Sequence, residues 1–181
     1  MEKKQPGEKI ITEKEIKQKN KELAREIEND YQGKEPVFIS ILKSSVYFLS
    51  DLTRNLNLPL NIDFLGIGRY PTADNRGGEI HIEKNLELNI SGRHVIIIDT
   101  IINTGLTHSY LIKNLQPRKP ESLNICTLIE NPTKRLVGLP IAYQGFTFSD
   151  PDLFVVGYGL DYCEDYRHLP YICHYDRDDR E

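Results

Sequence analysis

The fold of this chain is decided by residues 95–107, which read Val-Ile-Ile-Ile-Asp-Thr-Ile-Ile-Asn-Thr-Gly-Leu-Thr. The four apolar β-branched residues at its start do not alternate with polar ones, which is typical of a strand buried on both faces of a parallel sheet. Asp99 follows where that strand is expected to end, and a helical pattern begins near Thr107. A strand, a small polar loop and a helix start together predict a site for a phosphorylated sugar at the carboxyl end of a sheet.

The residue types of this loop suit such a ligand. Unpaired amides at the helix start point outward, and the hydroxyls of Thr104 and Thr107 add donors. Gly105 lets the backbone approach a phosphate closely, and Asp99 suits a ribose hydroxyl or a hydrated metal. Gly-x-Gly-x-x-Gly and Gly-x-x-x-x-Gly-Lys-Thr are both missing, so this is neither pattern of nucleotide loop. An ordinary strand–loop–helix connection capped by Asn103 or Thr104 explains the stretch equally well.

A second strand-to-helix junction follows the apolar run 37–42. Lys43, Ser44 and Ser45 come next, and an amphipathic helix is predicted from Val46 to about Leu56. Helix amides could bind the oxygens of a diphosphate here while the Lys43 ammonium neutralises charge. A surface lysine beside a serine cap is the alternative that the residues alone favour.

The remaining chain alternates in the same way. Thr12 and Glu15 form a capping-box pattern at the start of a helix over about 13–30. A long polar loop, 68–79, is rich in glycine and proline, as binding loops often are. Further strands are predicted at 58–67, 79–83, 122–129 and 141–148. This alternation predicts an α/β fold with a central, mainly parallel sheet flanked by helices.

Bulk properties exclude several classes of protein. At 181 residues the chain is expected to be one domain, and 23 Lys and Arg against 27 Asp and Glu argue against a general nucleic-acid binder. No apolar run approaches the about 20 residues that a membrane span needs. The three cysteines lack zinc-type spacing, and no secretion signal is recognisable at the start. We therefore expect reduced thiols and a cytoplasmic protein.

The stretch at 95–107 resembles the diphosphoribosyl-binding motif of type I phosphoribosyltransferases. A second segment, 153–162, reads Leu-Phe-Val-Val-Gly-Tyr-Gly-Leu-Asp-Tyr, and Tyr-Arg-His-Leu-Pro-Tyr follows at 166–171. Together they are most similar to the hypoxanthine-guanine phosphoribosyltransferase family, and the resemblance covers roughly residues 10–175. It implies a single domain with a core of about 10–148. A small C-terminal hood of about 149–175, joined by the N-terminal segment, would cover the nucleobase.

The resemblance also implies roles for individual residues. The ribose would contact Asp99, the metal Asp161, and the ring of the base Phe154. The other implied contacts are the 5′-phosphate with Thr104, Gly105, Leu106 and Thr107; the diphosphate with Lys43, Ser44 and Arg167; the base edge with Val155 and Asn131; and a lid containing Arg69 and Tyr70.

The sequence departs from the family pattern at four positions that contact the substrate in the family. The family has glycine at Ser44, aspartate at Thr100, its general-base aspartate at Asn103, and a base-binding lysine at Asn131. Ser44 would strain its loop if that loop needs an unusual backbone geometry. Lys134 could reach the base in place of the lysine missing at 131, or lie in solvent. His108 is expected at the surface of the helix.

The resemblance implies transfer of a 6-oxopurine to 5-phosphoribosyl diphosphate, giving the nucleoside monophosphate and diphosphate with Mg²⁺ bound. A homodimer or homotetramer is implied in the same way. Because four departures fall at substrate contacts, an impaired or inactive homologue that binds a purine nucleotide as a sensor or structural part is the alternative. A transferase for another base, such as xanthine or a pyrimidine, is a third reading.

Overall fold

The computed structural model describes residues 6–69 and 80–176. Within these ranges the helices are α1 (Glu13–Tyr31), α2 (Val46–Arg54) and α3 (Leu106–Leu115). The strands are β1 (Lys9–Ile11), β2 (Val37–Leu42), β3 (Asn61–Arg69), β4 (Ile80–Lys84), β5 (His94–Ile102), β6 (Ser122–Glu130), β7 (Ile141–Thr147), β8 (Val155–Val156) and β9 (Ile172–His174). Short 3-10 helices occupy Gln116–Arg118 and Pro132–Lys134.

The large sheet has the strand order β4-β3-β2-β5-β6-β7, and every pairing except β3 with β4 is parallel. Its centre is apolar on both faces, as residues 95–98 predicted, and all four side chains there are fully buried. Helices α1 and α2 pack on one face and α3 on the other. The predicted α/β fold with a mainly parallel sheet is therefore confirmed.

The central strand is longer than the sequence suggested. We expected it to end at Asp99, but β5 continues to Ile102 because β6 pairs with it along this length, up to Ile102 opposite Glu130. Asp99 thus lies inside the strand, with Asn103 as the first residue beyond it. The predicted capping box of Thr12 and Glu15 is present at the start of α1.

A small second sheet, in the order β1-β9-β8, joins the N-terminal segment to the C-terminal one. Tyr158 fastens this part of the chain to the helices. Its hydroxyl donates to Asp51 Oδ2 at 2.8 Å and accepts from Asn20 Nδ2 at 2.9 Å. Burial, followed by the bond to Asp51, raises the pKa of Tyr158, so the phenol keeps its proton and remains a donor. None of the described helices is long and apolar enough to cross a membrane.

Candidate active site

The two predicted anion loops lie side by side. Strands β2 and β5 are parallel neighbours, from Val37 opposite Val95 to Ser40 opposite Ile98. From β2 the chain continues to β3 on one side, and from β5 it continues to β6 on the other. Ligands of open α/β sheets bind at such a reversal of strand order, beyond the carboxyl ends of the strands. The loop after β2 and the loop after β5 therefore share one crevice.

The loop after β5 has the geometry of an anion site. Gly105 caps α3 with a left-handed backbone, φ +81°. The amide of Leu106 donates to Thr104 Oγ1 at 3.4 Å, and the amide of Leu136 donates to the Thr104 carbonyl at 3.0 Å. A Cβ at Gly105 would lie 2.8 Å from Arg135 Nη1, so the loop is packed against that side chain. This close fit fixes the amides at the start of α3, which is where a phosphate would bind.

The loop after β2 contacts strand β5 through Asp99. Ser44 Oγ donates to Asp99 Oδ1 at 3.3 Å, and the Thr100 amide donates to the same oxygen at 2.7 Å. Thr100 Oγ1 donates in turn to the Ser44 carbonyl at 2.9 Å. Ser44 and Thr100 are two of the four departures from the family pattern, and they contact each other. Ser44 does not adopt a left-handed backbone, so it does not need the glycine that the family has at this position for that reason.

His108 lies in the same cluster, which the sequence reading did not anticipate. We expected it at the surface, but it is only 4% exposed, and its Nε2 lies 3.0 Å from Asp99 Oδ2. The surface prediction was wrong because α3 packs this side on the sheet. His108, Leu111 and Leu115 are the buried residues of α3. Their i, i+3, i+7 spacing was the signal that could have identified His108 as an inward residue.

The cations expected at the diphosphate converge on Glu164. Lys43 Nζ lies 3.0 Å from Glu164 Oε2, and Arg167 Nη2 lies 3.3 Å from Glu164 Oε1. The Lys43 ammonium, and then the Arg167 guanidinium, hold the pKa of the Glu164 carboxyl below its usual value. All three side chains line one pocket of about 480 Å³. A carboxylate of the chain itself thus occupies the position between the two cations.

Replacing Glu164 by glutamine is expected to tighten the binding of inorganic diphosphate by about threefold, since exposed ion pairs of this kind are weak competitors. Calorimetric titration with diphosphate measures the change. Glu13→Gln removes the same charge from an exposed ion pair on α1 and serves as the matched control. Equal affinities of both variants and the wild type would show that Glu164 does not compete for the two cations.

Asp161, the residue expected at the metal, lies beside this ion-pair group. Its Oδ1 is 2.8 Å from Arg167 Nη1, and its Oδ2 accepts from the Glu164 amide at 2.9 Å. The nearby Gly159 brings the segment against the loop after β2, because a Cβ there would lie 1.8 Å from the Ser44 carbonyl oxygen. The metal candidate, Arg167 and the Lys43–Ser44 loop are therefore neighbours.

Of the residues expected at the base, Phe154 lines a pocket, whereas Val155 and Asn131 are buried. Phe154 packs edge-on against Tyr162 and Tyr175, with ring centres 6.0 and 6.4 Å away. Val155 is buried in the small sheet, where it pairs with His174. Together with Lys134, the Phe154 ring lines a pocket of about 410 Å³.

Asn131, in contrast, is only 2% exposed. Its Nδ2 donates to the Asp150 carbonyl at 2.8 Å, and its Oδ1 accepts from Thr133 Oγ1. Both ends of the amide are thus used within the protein. The Lys134 ammonium is 3.4 Å from the Leu153 carbonyl, next to Phe154 in the chain.

The expected lid falls at the end of the first described range. Arg69 is the last residue of β3, and Tyr70 with the rest of the loop to residue 79 lies outside the described residues.

Comparison with known proteins agrees with this geometry. Residues 7–163 match the phosphoribosyl transferase domain. The chain is 41% identical over 163 residues to the hypoxanthine-guanine phosphoribosyltransferase of Bacillus subtilis, covering 90% of this chain and 89% of that protein. It is 40% identical over 165 residues to the hypoxanthine phosphoribosyltransferase of Salmonella typhimurium, covering 90% and 92%.

A solved structure of a hypoxanthine-guanine phosphoribosyltransferase from Bacillus anthracis is also similar. It superposes with a TM-score of 0.86 at 38% identity, covering 94% of this chain and 99% of that one. The matched range includes the loops after β2 and β5 and the segment that carries Phe154 and Asp161. The chain therefore belongs to the hypoxanthine-guanine phosphoribosyltransferase family.

Proposed function

We propose that this protein is a purine-salvage phosphoribosyltransferase that joins a 6-oxopurine, hypoxanthine or guanine, to 5-phosphoribosyl diphosphate. The observation that carries the proposal is the pair of candidate anion loops at the ends of the neighbouring strands β2 and β5, with Asp99 of β5 in contact with Ser44 of the first loop. A substrate with one phosphate at its 5′ position and a diphosphate at C1′ needs two such sites on either side of a ribose site. The relatives named above are transferases of this class.

Each part of the substrate has a partner in the crevice. The amides of residues 104–107 hold the 5′-phosphate, and Asp99 accepts from a ribose hydroxyl. Lys43 and Arg167 release Glu164 and bind the diphosphate instead, because the diphosphate carries more negative charge. Phe154 stacks on the purine, and Val155 offers backbone groups to its edge.

The reaction forms a bond between a ring nitrogen of the purine and C1′ of the ribose. The C1′–O bond to the diphosphate breaks, and its electron pair leaves with the diphosphate. The amide of Asn103 cannot take the proton of the purine at neutral pH, so that proton passes to the departing diphosphate or to water. Fixed charges and positioning carry the catalysis, because the ribosyl centre develops positive charge in the transition state.

A magnesium ion fits the residues present if the substrate supplies most of its ligands. Among the described residues, no group of three or more His, Cys, Asp or Glu side chains could form an all-protein site. Mg²⁺ commonly binds through one or two carboxylates together with substrate phosphates and water. Asp161 is such a carboxylate beside Arg167, and a bound ion there would offset the charge of the leaving diphosphate. We also infer a homodimer or homotetramer, as the family resemblance implies, and a cytoplasmic location, as the cysteine content suggests.

Lys134 is a better candidate than Asn131 to donate a hydrogen bond to the base, because both ends of the Asn131 amide are already hydrogen-bonded within the protein. Lys134→Ala is expected to raise the KM for hypoxanthine about 5- to 10-fold, which corresponds to a net hydrogen bond of about 1 to 1.4 kcal/mol. The KM for 5-phosphoribosyl diphosphate should stay the same. Lys21→Ala, an exposed change on α1, is the control. An unchanged KM for the base would show that Lys134 does not contact the base.

The proposal is tested by diphosphate release from the purified protein with 5-phosphoribosyl diphosphate and Mg²⁺. Hypoxanthine, guanine, xanthine, adenine and uracil are supplied in turn. Release with hypoxanthine or guanine supports the proposal, whereas release with only xanthine, adenine or uracil would replace the base we name. Silence with all five, in a protein that a purine nucleotide still stabilises against heat, would favour a nucleotide-binding homologue without catalysis.

A further inference from the structure

The cluster at Asp99 contains a residue for which neither the family resemblance nor the proposed reaction has a use. His108 is nearly fully buried, with 5% of its side chain exposed, and its Nε2 faces Asp99 Oδ2 at 3.0 Å. The contact has the distance of an ion pair without the alignment of a hydrogen bond, and no other group satisfies this nitrogen among the described residues. Burying an imidazole nitrogen without a hydrogen bond is costly, so its place beside Asp99 needs an explanation.

The groups around the Asp99 carboxylate indicate the role of the His108 contact. A carboxylate has about four acceptor positions. The Thr100 amide and Ser44 Oγ use two of them on Oδ1, and His108 faces a third on Oδ2. Oδ2 accepts no aligned hydrogen bond from the described residues, so it keeps acceptor capacity for a ligand. The carboxylate is held from three directions by three separate parts of the chain, which fixes where Oδ2 points.

Two departures from the family pattern, Ser44 and Thr100, lie in this cluster and contact each other. The family resemblance places two acids at the end of β5, where this chain has Asp99 followed by Thr100. The Thr100 hydroxyl donates to the Ser44 carbonyl, so it ties the loop after β2 to β5 instead of adding charge. With only one carboxylate left for the ribose, its orientation matters more. His108 on α3 contacts the other oxygen of the same carboxylate, Oδ2, whereas Ser44 contacts Oδ1.

We infer that His108 is a positioning residue for the ribose of 5-phosphoribosyl diphosphate, acting through Asp99. It fixes the Asp99 carboxylate so that the open acceptor position on Oδ2 meets a ribose hydroxyl. The inference rests on the proposed function for the identity of the ligand. It assigns His108 no contact with the diphosphate, because Lys43 and Arg167 lie in the neighbouring pocket and His108 does not line it.

The test compares two ligands that differ in the ribose. Dissociation constants for 5-phosphoribosyl diphosphate and for inorganic diphosphate are measured by calorimetry with Mg²⁺ present. His108→Leu is expected to weaken 5-phosphoribosyl diphosphate about tenfold, the worth of one charge-assisted contact, and to leave inorganic diphosphate unchanged. His108→Gln places an amide donor near the position of Nε2 and is expected to recover most of the lost affinity.

His94→Leu is the matched control. His94 opens the same strand at its other end, where Nδ1 lies 2.8 Å from Ser122 Oγ. This variant should bind both ligands as the wild type does, even if its melting temperature falls. Thermal unfolding of all variants shows whether each one is folded at the temperature of the titration.

The possible results separate cleanly. Loss of affinity for 5-phosphoribosyl diphosphate alone, with recovery in His108→Gln, supports the positioning role even if the wild type releases no diphosphate. In that case only the proposed catalysis fails. Unchanged affinities, equal weakening of both ligands, or a His108→Gln variant as weak as His108→Leu would each overturn the inference. A wild-type protein that binds neither ligand would overturn the inference and the proposed function together.

Discussion

Asn103→Asp is expected to raise kcat by about 10- to 100-fold, at or just below the lower end of the roughly 10²- to 10⁴-fold that a positioned general base contributes. Asn103 is exposed and follows β5 directly, so a carboxylate there incurs no burial penalty and keeps the shape of the loop. Asparagine and aspartate have nearly the same volume. The new carboxylate could take the proton that the purine loses as its bond to C1′ forms, which the amide cannot do.

The gain should disappear at low pH. An exposed aspartate has a pKa of about 3.9, and only its ionised form acts as a base. The ratio of variant to wild-type kcat should therefore be constant near neutral pH and fall as the pH approaches 4. Steady-state rates of diphosphate release across this range measure the ratio.

Asn89→Asp is the matched control for this change. Asn89 is exposed, and its Oδ1 accepts from the Ser91 amide, which a carboxylate oxygen can also do. It adds the same charge away from the crevice and should leave kcat unchanged. If Asn103→Asp binds both substrates with normal KM values yet shows no rise in kcat, position 103 is not where the proton leaves the base.

Gly105→Ala is expected to lower kcat/KM for 5-phosphoribosyl diphosphate on the order of 100-fold, the effect that a shift of about 1 Å in a positioning group can have. The backbone of Gly105 is left-handed, φ +81°, and a Cβ would lie 2.8 Å from Arg135 Nη1 and 3.0 Å from Leu139 Cδ1. Arg135 is itself held by Glu130, with Nη2 2.7 Å from Oε1. The loop must therefore move, and its phosphate-binding amides move with it.

The same change should lower the free energy of unfolding by about 1–2 kcal/mol, the cost of a left-handed residue with a side chain. Gly138→Ala is the control, because a Cβ at Gly138 meets no atom within 4 Å and its φ is not in the left-handed region. Denaturant unfolding and kcat/KM for 5-phosphoribosyl diphosphate are measured for both variants. A normal kcat/KM in Gly105→Ala would mean that the amides at the start of α3 do not hold the phosphate.

Much of the fold was predictable because its signals are local. The unalternating apolar run at 95–98 identified the central strand, and the run at 37–42 gave β2 with its bounds. The capping box of Thr12 and Glu15 fixed the start of α1, since both partners lie within one helical turn. The approximate positions of the two candidate anion loops followed from these runs, because each loop was expected near the end of such a strand.

The end of β5 was not predicted correctly from the sequence. Asp99 looks like the first residue after an apolar strand, yet the strand runs to Ile102. Strand length is set by the partner, and β6 supplies pairing up to Glu130. Polar residues are tolerated inside the strand because Ser44 and the Thr100 amide satisfy the carboxylate.

What the sequence determined by itself is the order of strands, loops and helices, and with it the place of the crevice. Only the tertiary structure decided how the charges in that crevice are paired. Glu164 meets Lys43 across 121 positions of the chain, and Ser44 meets Asp99 across 55. His108 showed its inward spacing in the sequence, but its partner became visible only when α3 lay against β5. Periodic patterns report which side of an element is buried, whereas ion pairs depend on which elements the fold brings together.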